Sequence, residues 1–172
     1  NKPIDDGNYL FSEQEYQDFI RREPLSEQFF KKWVGAHEFV NRKHRYCLWL
    51  GECPPDILRK MPLALKRVEA VRDYRLKSKS AGARILAEKP TRFHVETFPD
   101  TSFLVVPSTS SERRKYIPIG FLSPDYLASN AVTVILNANI YHFGILTSNV
   151  HMGWMRAVAG RLEMRYRYSA QI

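Results

Sequence analysis

The sequence changes character at Pro90, and that change does most to limit its fold. Before it, from Leu63 to Leu86, the chain is rich in Leu, Ala, Lys, Arg and Glu. Leu65, Val68, Val71 and Leu76 recur there near one face at helical spacing, which predicts the longest helix. After it come the runs Phe103-Leu104-Val105-Val106, Tyr116-Ile117-Pro118-Ile119 and Val132-Thr133-Val134-Ile135-Leu136, separated by Ser, Pro and Asn. Such runs read as short strands. The pattern predicts an α+β fold: N-terminal helices and a long basic helix packed with a small mixed or antiparallel sheet formed mainly by the C-terminal half.

Local signals place the remaining elements. Ser12 followed by Glu15 is a capping box, so a helix is expected from about Glu13 to Arg22, stopped by Pro24. Ser26 is expected to open a second short helix carrying Phe29, Phe30 and Trp33, closed by Gly35. Arg45 to Leu50 reads as a strand, and Pro54-Pro55-Asp56 opens a helical stretch, making about 54–89 a helical insert. Ile140 to Thr147 and His151 to Ala159 read as a helical pair. Tyr166-Arg167-Tyr168 reads as the closing strand.

Composition narrows the function classes. The 172 residues are 44% hydrophobic and 13% aromatic, enough to build a core and exclude disorder as the main state. No apolar run approaches the roughly 18 residues of a membrane span, and the first residues lack a signal-peptide pattern, so a cytoplasmic protein with no membrane partner is expected. Cys47 and Cys53 permit one disulfide at most and are expected to be reduced. The net charge of +8 suggests an anionic partner.

The chemistry-bearing residues leave several readings open. Neither glycine-rich phosphate loop occurs, and no nucleophile elbow. His37, His44, Cys47 and Cys53 lie close in sequence, but the spacing of the cysteines is not a zinc knuckle and favours buried thiols. His142 and His151 read as packing histidines. Asp100 with Glu112 and Lys115 would suit a metal-dependent nuclease, although Glu112 and Lys115 would fall on opposite faces of a strand.

Two basic stretches carry more. Ser110, Ser111, Arg113, Arg114 and Lys115 form a basic turn suited to phosphate oxygens, or simply a solvated loop. From Arg161 to Tyr168, a strand period puts Met164, Tyr166 and Tyr168 on one face and Glu163, Arg165 and Arg167 on the other. Glu can accept from cytosine N4 while Arg donates to guanine N7 and O6, so Glu163 and Arg165 could read one C·G pair. By pattern alone a surface ion pair is the simpler reading.

The blocks Ser110 to Leu122, His142 to Ser148, His151 to Val158 and Tyr166 to Ser169 resemble the target recognition domain of MmeI-like restriction-modification enzymes (type IIL/IIG). Those enzymes join a DNA N6-adenine methyltransferase to an endonuclease. Lys2 to Asn8, Arg45 to Leu50, Met61-Pro62-Leu63 and Val71-Arg72 also fit, so the resemblance spans nearly the whole chain. It implies that residues 1–172 are one DNA recognition domain from a longer polypeptide, with double-stranded DNA and an upstream methyltransferase domain as partners. It further implies base readout by Glu163 with Arg165, and by Ala131 with Arg167. The fragment is expected to carry no catalytic residue, cofactor or metal. The parent would use S-adenosylmethionine, and Mg2+ if it also cleaves. An autonomous nuclease and a basic protein-interaction module are the competing readings.

Overall fold

The computed structural model describes residues 1–169. In chain order they form β1 (Leu10–Phe11), α1 (Glu13–Arg22), a 3-10 turn (Pro24–Phe29), β2 (Phe30–Val34), α2 (Ala36–Val40), β3 (Arg45–Leu48) and α3 (Pro55–Leu58). Then follow α4 (Pro62–Leu76), α5 (Ala81–Leu86), β4 (Phe103–Pro107), β5 (Thr109–Ser110), β6 (Gly120–Leu122), β7 (Tyr126–Ala128) and β8 (Val132–Ile135). Last come α6 (Ile140–Leu146), α7 (Asn149–Val158), β9 (Gly160–Leu162) and β10 (Arg165–Arg167). Helices and small sheets coexist, as an α+β fold requires. The chain divides into two compact units, Asn1–Trp33 with Arg45–Glu96, and Val34–His44 with Thr97–Ile172. Among the described residues no helix is long and apolar enough to cross a membrane.

In the first unit α1 begins where the capping box predicts. The Ser12 hydroxyl accepts from the Glu15 amide at 3.3 Å, and the Glu15 carboxylate accepts from the Ser12 amide at 2.7 Å. The apolar side of α1 meets an aromatic cluster: Phe11 lies 5.2 Å from Phe19 and 5.1 Å from Phe30, and Tyr16 stacks on Tyr46 at 3.8 Å. β3 runs antiparallel between β1 and β2. The helix expected from Ser26 to Trp33 is instead the 3-10 turn followed by β2, because residues 30–33 pair in register with β3. That ladder outweighs local preference.

The long helix expected over 63–86 breaks into α4 and α5. Arg84 donates to the carbonyls of Ser78 and Lys79 at 2.8 and 3.0 Å, satisfying acceptors that the break leaves open. The start of α4 is capped from afar, as the buried Glu23 carboxylate accepts from the Leu63 and Ala64 amides at 2.7 and 3.0 Å. The buried stripe of α4 is Ala64, Val68, Val71 and Arg75, whereas Leu76 is exposed. Arg75 is fully buried and directs all five of its N–H donors at carbonyls: Pro3, Ile4, Leu86, Lys89 and Arg92, at 2.8 to 3.2 Å. Desolvation by burial lowers its pKa, outweighing the opposing influence of Tyr9 and Asp5.

In the second unit β4 separates two small cores. Period two sends Phe103 and Val105 to a cluster with Ala128 and Val132. It sends Val106 to a cluster with Ile117, Met152, Met155, Tyr166 and Tyr168. β4 pairs with β6 and β8, and β10 pairs with β5 and β9, all antiparallel. The expected strand Tyr116 to Ile119 does not form. Pro118 has no N–H for a ladder, and pairing starts only at Gly120, while Ile117 turns into the core.

Candidate nucleic-acid interface

The C-terminal segment expected as one strand is a hairpin. Arg165 faces Leu162 across β9 and β10, leaving Glu163 and Met164 as a two-residue turn. Glu163 has a φ of +56°, a conformation such a loop usually gives to glycine. The alternation predicted from Met164 onward therefore holds only within β10: Tyr166 and Tyr168 are buried, Arg165 and Arg167 are exposed, and Met164 stands out at the tip.

Two tyrosines hold this hairpin in place. Burying a large apolar side chain contributes about 1.5–3 kcal/mol. Across the turn Arg165 donates to the Glu163 carboxylate at 3.0 Å, and both side chains are at least half exposed. Such a pair contributes about 0–1 kcal/mol. The packing comes from Tyr166 and Tyr168, so the Glu163–Arg165 pair is not needed for stability and presents a carboxylate acceptor beside guanidinium donors.

The other two expected base readers lie on either side of the Ser108–Thr109 segment. Arg167 is exposed on β10, opposite Thr109 and Gly160. The Ala131 carbonyl accepts from the Ser108 amide at 3.1 Å, and the Ser108 carbonyl accepts from the Tyr168 amide at 2.9 Å. Exposed Ala131 thus lies one backbone segment away from the end of β10.

The basic stretch turns at Glu112 and Arg113. The Ser111 hydroxyl accepts from the Arg113 amide at 3.3 Å and its carbonyl from the Arg114 amide at 3.1 Å. This bends the chain so that Arg113, Arg114 and Lys115 are exposed. Arg156 donates to the Lys115 carbonyl, and the Tyr116 hydroxyl donates to Asn149 Oδ1 at 2.7 Å, tying the turn to α7. Ser110 is the exception among the expected phosphate contacts. It pairs with Tyr166 in the ladder, is 3% exposed, and its hydroxyl is buried without a partner, so it is not presented to an outside phosphate.

Arg161 is the feature that sequence reasoning did not single out. It faces Tyr166 across the hairpin, 4.5 Å above the ring, and lies 3.6 Å from the Glu112 carboxylate. No local signal marked it, because its partners are set by the hairpin pairing. Glu112, considered for a nuclease with Asp100, is therefore engaged by a guanidinium. His142 belongs to the cap of α6, with Nδ1 2.9 Å from Asn139 Oδ1, and is exposed. His151 packs beside Tyr168, its Nε2 3.0 Å from the phenol oxygen, and burial lowers its pKa. Cys47 is buried in β3, where desolvation raises its thiol pKa well above the usual value, and Cys53 is partly buried. Among the described residues no three His, Cys, Asp or Glu side chains gather as a metal site would need.

DNA methyltransferase A of Bacillus subtilis (strain 168) is 44% identical over 171 residues, which is 99% of this chain and 19% of that protein. The solved structure of the type IIL restriction-modification enzyme MmeI in complex with DNA superimposes with a TM-score of 0.97 at 47% identity, covering all of this chain and 23% of that one. The chain thus spans about a fifth of these relatives. Residues 1–172 match the family described as the MmeI target recognition domain, and the chain belongs to that family.

Proposed function

We propose that this chain reads a sequence in double-stranded DNA for a larger adenine methyltransferase. The observation that carries this is the Glu163–Arg165 pair, 3.0 Å apart and exposed at a hairpin tip held by buried tyrosines. In the major groove Glu163 accepts from cytosine N4 and Arg165 donates to guanine N7 and O6, which selects C·G over the reversed pair. Arg167, with Ala131 one backbone segment away, reads a second position. Ser111, Arg113, Arg114 and Lys115 hold phosphates, which positions the domain without reading sequence.

Methyl transfer, and any cleavage with Mg2+, belongs to the rest of the parent polypeptide, in the cytoplasm where its DNA lies. S-adenosylmethionine would supply the methyl group there. The cleft of about 290 Å3 beside Asn8 and Phe19 does not suit its sulfonium, because Arg22, Lys66 and Arg67 also line that cleft and would set it among three cations.

Modified-base sequencing of DNA from cells expressing the intact parent tests this reading, with wild type beside a Glu163→Lys/Arg165→Asp double variant. N6-methyladenine in one motif, with a single C·G position changed in the variant, is the expected result. An unchanged motif would remove the reader assignment. No modified adenine from folded protein would remove the methyltransferase reading.

A further inference from the structure

The reading hairpin and the phosphate turn are joined by a contact assigned to neither. Arg161 lies 4.5 Å above the Tyr166 ring, donates to its phenol oxygen at 3.3 Å and approaches the Glu112 carboxylate at 3.6 Å. Tyr166 is the residue between Arg165 and Arg167, and Glu112 is the residue between Ser111 and Arg113. One guanidinium therefore touches a residue within each of the two segments.

We infer that Arg161 and Glu112 are positioning residues, whose contact sets the hairpin against the phosphate turn so that phosphate binding places Arg165 and Arg167 at the base edges. The charges support this. A carboxylate in a turn that binds phosphate repels its own ligand, so Glu112 weakens the turn unless it is neutralised. Arg161 neutralises it and is itself stacked, and a planar guanidinium can stack and pair at once where an ammonium cannot. Base readout is sensitive to such placement, because bidentate hydrogen bonds lose strength steeply with misalignment.

The inference rests on Glu163 and Arg165 being base readers, so the test includes them. Methylation rates of the intact parent enzyme are compared on its own site and on a site with the C·G pair read by Glu163 and Arg165 reversed. Glu112→Gln and Arg161→Gln are each expected to lower the ratio of the two rates roughly three- to tenfold, and the double variant no further than the worse single one. Arg161→Lys, which keeps the charge near Glu112, is expected to recover part of the ratio. Thermal melting identifies any variant that fails to fold, and Glu112→Gln with Arg161→Lys then carries the comparison. An unchanged ratio in folded variants, or equal losses on both sites, overturns the positioning role. If Glu163→Lys/Arg165→Asp leaves the preference untouched, the reader assignment fails and this inference with it. If that variant shifts the preference while the Arg161 and Glu112 variants do not, only the positioning role fails.

Discussion

Arginine does different work in this chain according to how much water it keeps. Arg113 and Arg114 are exposed beside a turn and form no ion pair among the described residues, so they remain available to anions. Replacing either with Gln is expected to weaken binding to all DNA sequences alike and to flatten the slope of log K against log salt by about one unit, measured by titration at several salt concentrations. Arg165→Ala should behave differently, relaxing preference at one base pair by about 1–3 kcal/mol and leaving the other positions unchanged in a competition assay. His151 makes a pH-dependent contribution. Burial lowers its pKa from 6.5, so the folded chain favours the neutral ring. Below about pH 6.5 the unfolded chain takes up the proton more readily, and stability falls as pH drops through the folded pKa. Melting temperatures between about pH 7.5 and 5.5 should decline more in wild type than in His151→Gln.

At the scale of the element, the hairpin β9–β10 turns through a conformation that its own residues disfavour. Glu163 adopts a left-handed conformation that costs a side chain about 1–2 kcal/mol relative to glycine. Glu163→Gly is therefore expected to keep or raise the melting temperature while abolishing selection at the position it reads, a separation that calorimetry and methylation assays on two sites would detect. The same conformation explains why the turn was not legible. Turns announce themselves by Gly, Asn, Asp or Pro, and Glu163-Met164 carries none of these, so residues 161–168 read as one strand. The pairing of Glu163 with Arg165 was legible even so, because a two-residue turn brings them together much as a strand face would. By contrast α1 was legible to its ends, since Ser12, Glu15 and Pro24 act within a few residues of one another.

At the scale of the molecule, Arg75 is the principal clamp of the first unit. Its five hydrogen bonds tie α4 to the N-terminal segment, to the end of α5 and to residues 89–92, reaching partners up to 72 positions away. Arg75→Met would leave those five carbonyls without their donor and is expected to cost more than about 3 kcal/mol, read as a lowered denaturation midpoint. Helical spacing gave Arg75 no special place, because the apolar repeat runs through Leu65, Val68, Val71 and Leu76 and passes it by. The sequence by itself determined the α+β class, the limits of α1, the helical pair α6 and α7, the exposed basic turn and the juxtaposed carboxylate and guanidinium of Glu163 and Arg165. Those follow from capping, periodicity and donor chemistry, which act over a few bonds or a few residues. Only the tertiary structure decided that residues 30–34 extend as β2, that Ser110 is buried, that Arg161 joins Glu112 to Tyr166, and that Arg75 lies inside. Each depends on partners brought together by the folded chain, where ladder pairing, desolvation and unfilled carbonyls outweigh what the neighbouring residues prefer.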